Sequence, residues 1–191
     1  MIADVPVNYD GYAPENYNSK FNGNVTVEQA LANSLNIPAV KTLNMIGLKS
    51  LTDKMKLAGF GQVLHSEGSI GLSVILGGCG VKLEELTALF STYANDGKFF
   101  RPHFLKSDTI NAPVQLMTPS ASYMTADILS QVNRPEMPVE VASSAMHLPK
   151  IAWKTGTSYG RRDAWSIGFN SDYTIGVWIG NFSGEGVPEL T

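Results

Sequence analysis

The stretch "IAWKTGTSYGRRDAWSIGF", residues 151–169, sets an ammonium group, two hydroxyls and a glycine side by side within a pattern typical of β-strands. Because strand side chains alternate between faces, Thr155 and Thr157 share one face. Lys154 and Gly156 share the other face. Glycine allows a ligand to approach closely, and an edge strand has unpaired backbone groups, so this strand could bind a peptide that ends in a carboxylate. The same pattern also suits an ordinary solvent-facing strand.

The sequence that follows predicts a small antiparallel sheet. Aromatic and β-branched residues alternate with small or polar ones in residues 163–170 and 173–182, and the "NSD" at 170–172 between them is typical of a tight turn. We therefore expect at least three antiparallel strands over residues 150–181, packed on helices.

The first two-thirds of the chain predicts helices. Residues 1–25, rich in Asn, Tyr, Gly and Pro, should form an extended arm, and residues 26–132 should be mainly helical. Thr26 can begin a capping box with the glutamine three residues later. The apolar stripe of this first helix includes Ser34, and the helix should stop around Asn36 because a proline follows shortly after.

Further helices are expected wherever apolar residues recur at helical spacing between Gly, Pro and Ser. Their predicted ranges are 38–47, 50–59 with Ser50 as N-cap, 82–97, and 118–133 with Thr118 as N-cap and Pro119 in the first position. Residues 60–80 and 133–149 should be mostly loop and turn, and residues 99–105 a short strand or an extended connection. The chain, residues 1–191, is thus predicted to have an α+β fold, with an antiparallel β-sheet packed on helices beside an adjoining helical lobe.

The composition excludes several classes of protein. The 191 residues are 43% hydrophobic and 16% charged with a net charge of −3, which rules out disorder and argues against a nucleic-acid partner. Cys79 is the single cysteine, so no internal disulfide is possible, and no candidate base lies beside its thiol. The three histidines are isolated, so no metal site and no cofactor are predicted. The sequence also contains no recognisable signal peptide and no apolar run of the ~18–20 residues needed to span a membrane.

A second motif lies far upstream of the strand at 154–157. Ser34 and Asn36 form an S-x-N triplet, which alone would more simply be a core serine bonded to the preceding turn. Taken together, S-x-N followed by a strand with K-T-G-T resembles the active-site signature of penicillin-binding proteins and β-lactamases, a group whose motifs are S-x-x-K, a Ser/Asn triplet and K-T-G. We expect both motifs to line one groove.

The resemblance extends over almost the whole chain. Residues 11–47, "GYAPENYNSKFNGNVTVEQALANSLNIPAVKTLNMIG", and residues 77–102, "GGCGVKLEELTALFSTYANDGKFFRP", look like the transpeptidase domain of bifunctional class A penicillin-binding proteins. Residues 153–181, "WKTGTSYGRRDAWSIGFNSDYTIGVWIGN", look most like the 1C branch of that family. The resemblance implies the incomplete fold of such a domain, with a helix that closes the sheet absent.

Catalytic roles for three residues are implied by the resemblance. Ser34 would relay a proton between a catalytic lysine and the leaving or attacking amine. Asn36 would donate its side-chain amide to a carbonyl of the donor peptide. Lys154 would supply positive potential that holds Ser34 in place and attracts the substrate carboxylate.

Substrate binding is implied for the three residues that follow. Thr155 and Thr157 would hydrogen-bond the terminal carboxylate, and the backbone N–H of Thr157 would form half of an oxyanion hole. Gly156 would leave room for the peptide. The implied ligands are peptidoglycan stem peptides of the D-Ala-D-Ala type and, in the intact protein, β-lactams.

The nucleophile of the family is missing from this sequence. No serine has a lysine three positions later, so we expect a piece of a transpeptidase domain entered after its catalytic serine and inactive alone. The full-length protein should add a glycosyltransferase domain and a membrane anchor, and should act on the periplasmic side of the bacterial inner membrane. Two alternatives remain: a non-catalytic module that binds peptidoglycan peptides or β-lactams and, less favoured, a β-lactamase, for which no deacylating carboxylate can be assigned.

Overall fold

The computed structural model describes residues 1–65, 68–131 and 150–187. The strands are β1 Ile2–Asp4, β2 Gly23–Val25, β3 Lys98–Phe99, β4 Val114–Gln115, β5 Ala152–Thr157, β6 Asp163–Phe169 and β7 Thr174–Gly180. The α-helices are α1 Val27–Ala32, α2 Asn36–Ile46, α3 Leu48–Leu57, α4 Gly61–His65, α5 Leu83–Ser91 and α6 Pro119–Ser130, with 3₁₀ turns at Leu72–Leu76 and Thr92–Ala94.

The three strands expected in the last part of the chain are confirmed as one antiparallel sheet in the order β5-β6-β7. Its second hairpin turns at Asn170, whose backbone N–H donates to the Tyr173 carbonyl at 2.9 Å. The Asn170 side chain accepts from the backbone N–H groups of Asp172 and Tyr173, at 2.9 and 2.8 Å, which fixes the turn. The α+β class is therefore confirmed.

One face of this sheet packs against α5 and α6. Leu129 of α6, Ala152 of β5 and Phe169 of β6 are buried together, with Phe90 and Tyr93 against them. The Tyr93 and Phe169 rings stack with centroids 5.6 Å apart. This aromatic layer fixes the sheet relative to the helices, and therefore fixes β5 relative to the rest of the chain.

The opposite face of the sheet is open among the described residues. Along β7, Ile175, Val177 and Ile179 are 64%, 48% and 57% exposed, whereas the residues between them are half-buried. The alternation follows directly from the two-residue period of a strand.

The helical lobe has its own buried residues. Helix α2 buries Ile37, Val40 and Leu43. A second cluster gathers around Phe60 and Phe99, and joins α3 and α5 to the two-stranded β3–β4 ribbon. The β4 strand of this ribbon was not expected from the sequence, because two residues are too few to show an alternation.

Helix boundaries differ from the prediction where α1 meets α2. Helix α1 ends at Ala32 and α2 begins at Asn36, so Ser34 lies on the corner between them and not on a helical stripe. Pro38 is inside the first turn of α2 and not at its first position, which is tolerated because the first N–H groups of a helix have no intrahelical acceptor.

Three helix starts test the capping predictions. Ser50 is not an N-cap, since α3 begins at Leu48 directly after Gly47. Thr118 as N-cap with Pro119 in the first position of α6 is confirmed, as is the Thr26 capping box of α1. The expected loop at 60–80 contains α4 and the 3₁₀ turn, and the loop expected at 133–149 lies outside the described residues.

Candidate functional site

Ser34 is presented by a helix ending of the Schellman type. Its backbone N–H donates to the Leu31 carbonyl at 3.2 Å, and the Leu35 N–H donates to the Ala30 carbonyl at 2.9 Å. The residue in this position takes a left-handed conformation, and Ser34 has φ +54°. Glycine is the usual residue there, so the serine stores of order 1 kcal/mol of backbone strain while its hydroxyl is exposed to solvent.

Asn36 begins α2 two residues later. Its side-chain amide donates to the backbone carbonyl of Glu15 at 2.8 Å, and its backbone N–H donates to Oδ1 of Asn16 at 2.9 Å. Both contacts come from the N-terminal arm, which thus holds the start of the helix that follows Ser34.

Lys154 comes from the central part of β5 and meets the helical corner. Its Nζ lies 2.5 Å from Ser34 Oγ, although 120 residues separate the two in the chain. The same ammonium donates to the Thr155 carbonyl at 2.7 Å. Because an ammonium can only donate, the serine oxygen is the acceptor, and the hydroxyl proton of Ser34 is left to point elsewhere.

Thr155, Gly156 and Thr157 form the exposed end of β5. Within the described ranges β5 pairs with β6 alone, so it is an edge strand there. A Cβ placed on Gly156 would meet no atom within 4 Å. Neither a left-handed backbone conformation nor close packing therefore requires a glycine at position 156, and the space beside it is open to a ligand.

The hairpin after β5 is fixed by Asp163, which the sequence analysis did not single out. Its Oδ2 accepts from the Ser158 hydroxyl at 2.8 Å, and its Oδ1 accepts from the Trp178 indole N–H at 2.8 Å. These bonds tie the end of β5 to β6 and β7 and hold the strand next to Thr157 in place. The signal available in the sequence was an acidic residue directly after two arginines in a hairpin.

A buried carboxylate in the arm was also missed. Asp4 is 0% exposed and accepts from the Asn16 side chain at 2.8 and 3.0 Å, and from the Asn22 backbone and side chain at 2.9 and 2.6 Å. Burial alone would raise the pKa of Asp4, but the bonds from Asn16 and Asn22 and the charge of Lys41 outweigh it, and the pKa is lowered. The ionised carboxylate thus holds Asn16 and Asn22 of the arm together through the hydrogen bonds that it accepts.

The described residues contain no group of three or more His, Cys, Asp or Glu side chains arranged to hold a metal ion. Burial, with the charge of Glu85, raises the pKa of the Cys79 thiol, which favours its protonated form. In the same ranges, no helix combines the length and the apolar character that crossing a bilayer requires.

Comparison with known sequences places this chain in one family. The family model described as the penicillin binding protein transpeptidase domain matches residues 3–182. Penicillin-binding protein 1C of Escherichia coli (strain K12) is 36% identical over 188 residues, which cover 98% of this chain and 24% of that protein. Penicillin-binding protein 1F of Bacillus subtilis (strain 168) is 32% identical over 198 residues, covering 94% of this chain and 26% of that protein. The chain thus spans about a quarter of the length of these curated relatives.

Solved structures show the same fold. Penicillin-binding protein 1A from Haemophilus influenzae has a TM-score of 0.76 at 15% identity, over 96% of this chain and 34% of that one. The PonA1 protein from Mycobacterium tuberculosis, in complex with penicillin V, has a TM-score of 0.72 at 18% identity, over 96% of this chain and 55% of that one. The family match, the 1C relative and these folds agree, and the chain belongs to the transpeptidase domain family of the class A penicillin-binding proteins.

Proposed function

We propose that this chain supplies the substrate-binding strand and the proton-relay corner of a serine D,D-transpeptidase that cross-links peptidoglycan stem peptides. The observation that carries the proposal is the 2.5 Å contact between Lys154 Nζ and Ser34 Oγ, which joins the two motifs across the fold. Family membership supports the reaction class, and the open edge of β5 supports a peptide substrate.

Ser34 and Lys154 act on protons and charge. With the ammonium donating to its oxygen, Ser34 can pass its own proton to a leaving amine and take another from the amine that attacks next. Asn36 lies two residues away at the start of α2, where its amide can turn from the Glu15 carbonyl to a carbonyl of the donor peptide.

The exposed end of β5 binds the peptide terminus. The hydroxyls of Thr155 and Thr157 on one face of β5 and the ammonium of Lys154 on the other present donors on either side of the strand edge, where a terminal carboxylate can bind and the extended peptide backbone can pair. Beside Gly156 the peptide can approach without meeting a side chain.

The covalent step belongs to the intact protein. There a serine oxygen would attack the carbonyl of the penultimate D-alanine, the amide C–N bond would break, and the terminal D-alanine would leave with a proton relayed through Ser34. The amine of a second stem peptide would then take the acyl group and release the serine. No serine of this 191-residue sequence has the lysine of S-x-x-K, so the chain alone should bind peptide without being acylated.

The carboxylate specificity of β5 tests the proposal. Titration of an acetylated peptide ending in D-Ala-D-Ala, followed by amide NMR, should shift the amide signals of β5 and of the α1–α2 corner, residues 33–36. The same peptide with a C-terminal amide should bind at least about tenfold more weakly, since it loses charge-assisted hydrogen bonds.

The variants Lys154→Ala and Thr157→Val should weaken binding of the free carboxylate and leave that of the amide unchanged. Thr174→Val, at the start of β7, is the matched control and should bind as the wild type does. Equal affinity for the two peptides would refute carboxylate recognition. A stoichiometric mass increase after treatment with penicillin would refute the claim that this chain lacks the nucleophile.

A further inference from the structure

The start of α2 has no cap from its own sequence. Its N-cap residue is Leu35, which has no side-chain hydrogen bond to offer, although the first N–H groups of a helix need acceptors. Instead, the Asn36 and Ile37 N–H groups donate to Oδ1 of Asn16, at 2.9 and 3.3 Å. An asparagine some 20 positions upstream thus serves as the N-cap of the helix that follows Ser34.

The other end of the Asn16 side chain explains why the amide keeps this orientation. Its Nδ2 donates to both carboxylate oxygens of Asp4 and to the Lys20 carbonyl at 2.8 Å. Turning the amide over would place its oxygen against the Asp4 carboxylate and its nitrogen against two N–H groups. With Asn16 only 4% exposed, water cannot relieve such a mismatch.

The neighbouring backbone makes this cap important for the site. The positive φ of Ser34 is held from the α1 side by the bonds of the Ser34 and Leu35 N–H groups to carbonyls of that helix. The direction of the Ser34 hydroxyl therefore also depends on the position of the first residues of α2. Asn36 is tied to the arm twice, through Asn16 and through the Glu15 carbonyl. The arm therefore sets both residues of the S-x-N motif relative to Lys154.

We infer that Asn16, locked by the buried Asp4 carboxylate, is the positioning residue of the Ser34–Asn36 corner, and that the N-terminal arm is a functional part of the site. The expected effect of Asn16 on peptide binding rests on the proposed function, whereas its expected effect on the geometry of residues 34–36 does not. The bonds of Asn16 to the corner are made to the backbone N–H groups of residues 36 and 37, so it acts through that backbone.

Amide hydrogen exchange of the whole chain measures the cap directly. In Asn16→Ala, exchange at Asn36 and Ile37 should accelerate at least about tenfold relative to Leu43, which lies later in the same helix and reports general destabilisation. Asn22→Ala is the matched control, because it also removes an amide bond to Asp4, and Asn22 makes no hydrogen bond to α2 among the described residues. It should leave the ratio of the Asn36 and Leu43 exchange rates unchanged.

Two further readouts separate positioning from a merely structural role. The labelled ε-methylene signal of Lys154 should move in Asn16→Ala toward its position in Ser34→Ala, and should stay in place in Asn22→Ala. Affinity for the D-Ala-D-Ala peptide should fall about tenfold in Asn16→Ala, as in Asn36→Ala. Should the wild type bind no peptide, the proposed function fails while exchange and the Lys154 signal still decide the role of Asn16.

A swap variant keeps the inference testable if Asn16→Ala does not fold. Asp4→Asn combined with Asn16→Asp puts the carboxylate at the start of α2 and the amide beside it, so an acceptor for the two N–H groups is kept and no like charges meet. Protection of Asn36 and Ile37 should return in the swap. Unchanged protection in folded Asn16→Ala, or no recovery in the swap, would overturn the inference.

Discussion

At the scale of single residues, the site is built on a serine in a backbone conformation that suits glycine. Ser34 has φ +54° at the end of α1, and its side chain gains only an exposed contact with Lys154. The left-handed conformation is thus not offset by a buried contact of the side chain, and it leaves the hydroxyl exposed beside Lys154.

The variant Ser34→Gly tests how the backbone strain at this position compares with the contact to Lys154. Glycine takes positive φ without strain, so the variant should be more stable by about 0.5–1 kcal/mol in urea unfolding, while losing the contact that orders Lys154. Asp96→Gly is the control, since Asp96 is also exposed with φ +53° and lies outside the N-terminal arm. It should gain similar stability with unchanged peptide affinity. A destabilised Ser34→Gly would contradict the assignment of strain to this residue.

At the scale of elements, periodicity and capping residues predicted what local sequence determines. The alternation in β6 and β7, the turn at 170–172 and the Thr118–Pro119 start of α6 follow from such signals. The α1–α2 corner could not be predicted in this way, because a serine does not indicate a left-handed backbone conformation.

The cap of α2 could not be predicted from the sequence for a different reason. It is supplied by Asn16, at a distance of 20 positions, and no rule of local spacing links the two residues. The approach of Lys154 to Ser34 was expected only because both belong to motifs of one family, since composition and periodicity cannot bring a strand to a helix corner.

Two glycines of the sheet show how β7 and β5 differ in what they face. A Cβ on Gly176 of β7 would overlap the Thr87 hydroxyl and lie 3.2 Å from Leu83 Cδ1, so α5 packs directly on this strand. The Thr87 oxygen there is buried without a hydrogen-bond partner. A Cβ on Gly156 of β5 would meet nothing.

Gly176→Ala should therefore destabilise the chain by about 1–3 kcal/mol, because it forces α5 away from the sheet. Gly156→Ala should change stability by less than about 0.5 kcal/mol but weaken peptide binding. Chemical unfolding and peptide titration of the two variants provide the comparison. Adding Thr87→Ala to Gly176→Ala should recover part of the lost stability, because it removes the overlapping hydroxyl while Thr87 Cβ and Leu83 Cδ1 remain 3.2 Å away. No recovery at all would argue against the overlap as the cause.

At the scale of the whole molecule, three separate parts of the chain meet at the site. Strand β5 brings Lys154, the α1–α2 corner brings Ser34, and the arm fixes the corner through Asp4 and Asn16. The arm is anchored by pairing of β1 with β2 and by the Lys41 ammonium, which donates to the Ala3 carbonyl at 2.7 Å. Global stability and the geometry of the site therefore depend on the same buried carboxylate.

This dependence gives the chain an acid sensitivity of known sign. The pKa of Asp4 is lower in the folded chain than the ~3.9 expected when unfolded, so its ionised form stabilises the fold fully above that value. The contribution should be lost as pH falls from about 4 through the lower folded pKa, because the unfolded chain takes up the proton first. Urea unfolding of wild type and Asp4→Asn at pH values from 7 to 2.5 measures it. The variant should be less stable at pH 7, with the difference narrowing only below about 4. A difference constant over the whole range would show that Asp4 does not stabilise the arm through its charge.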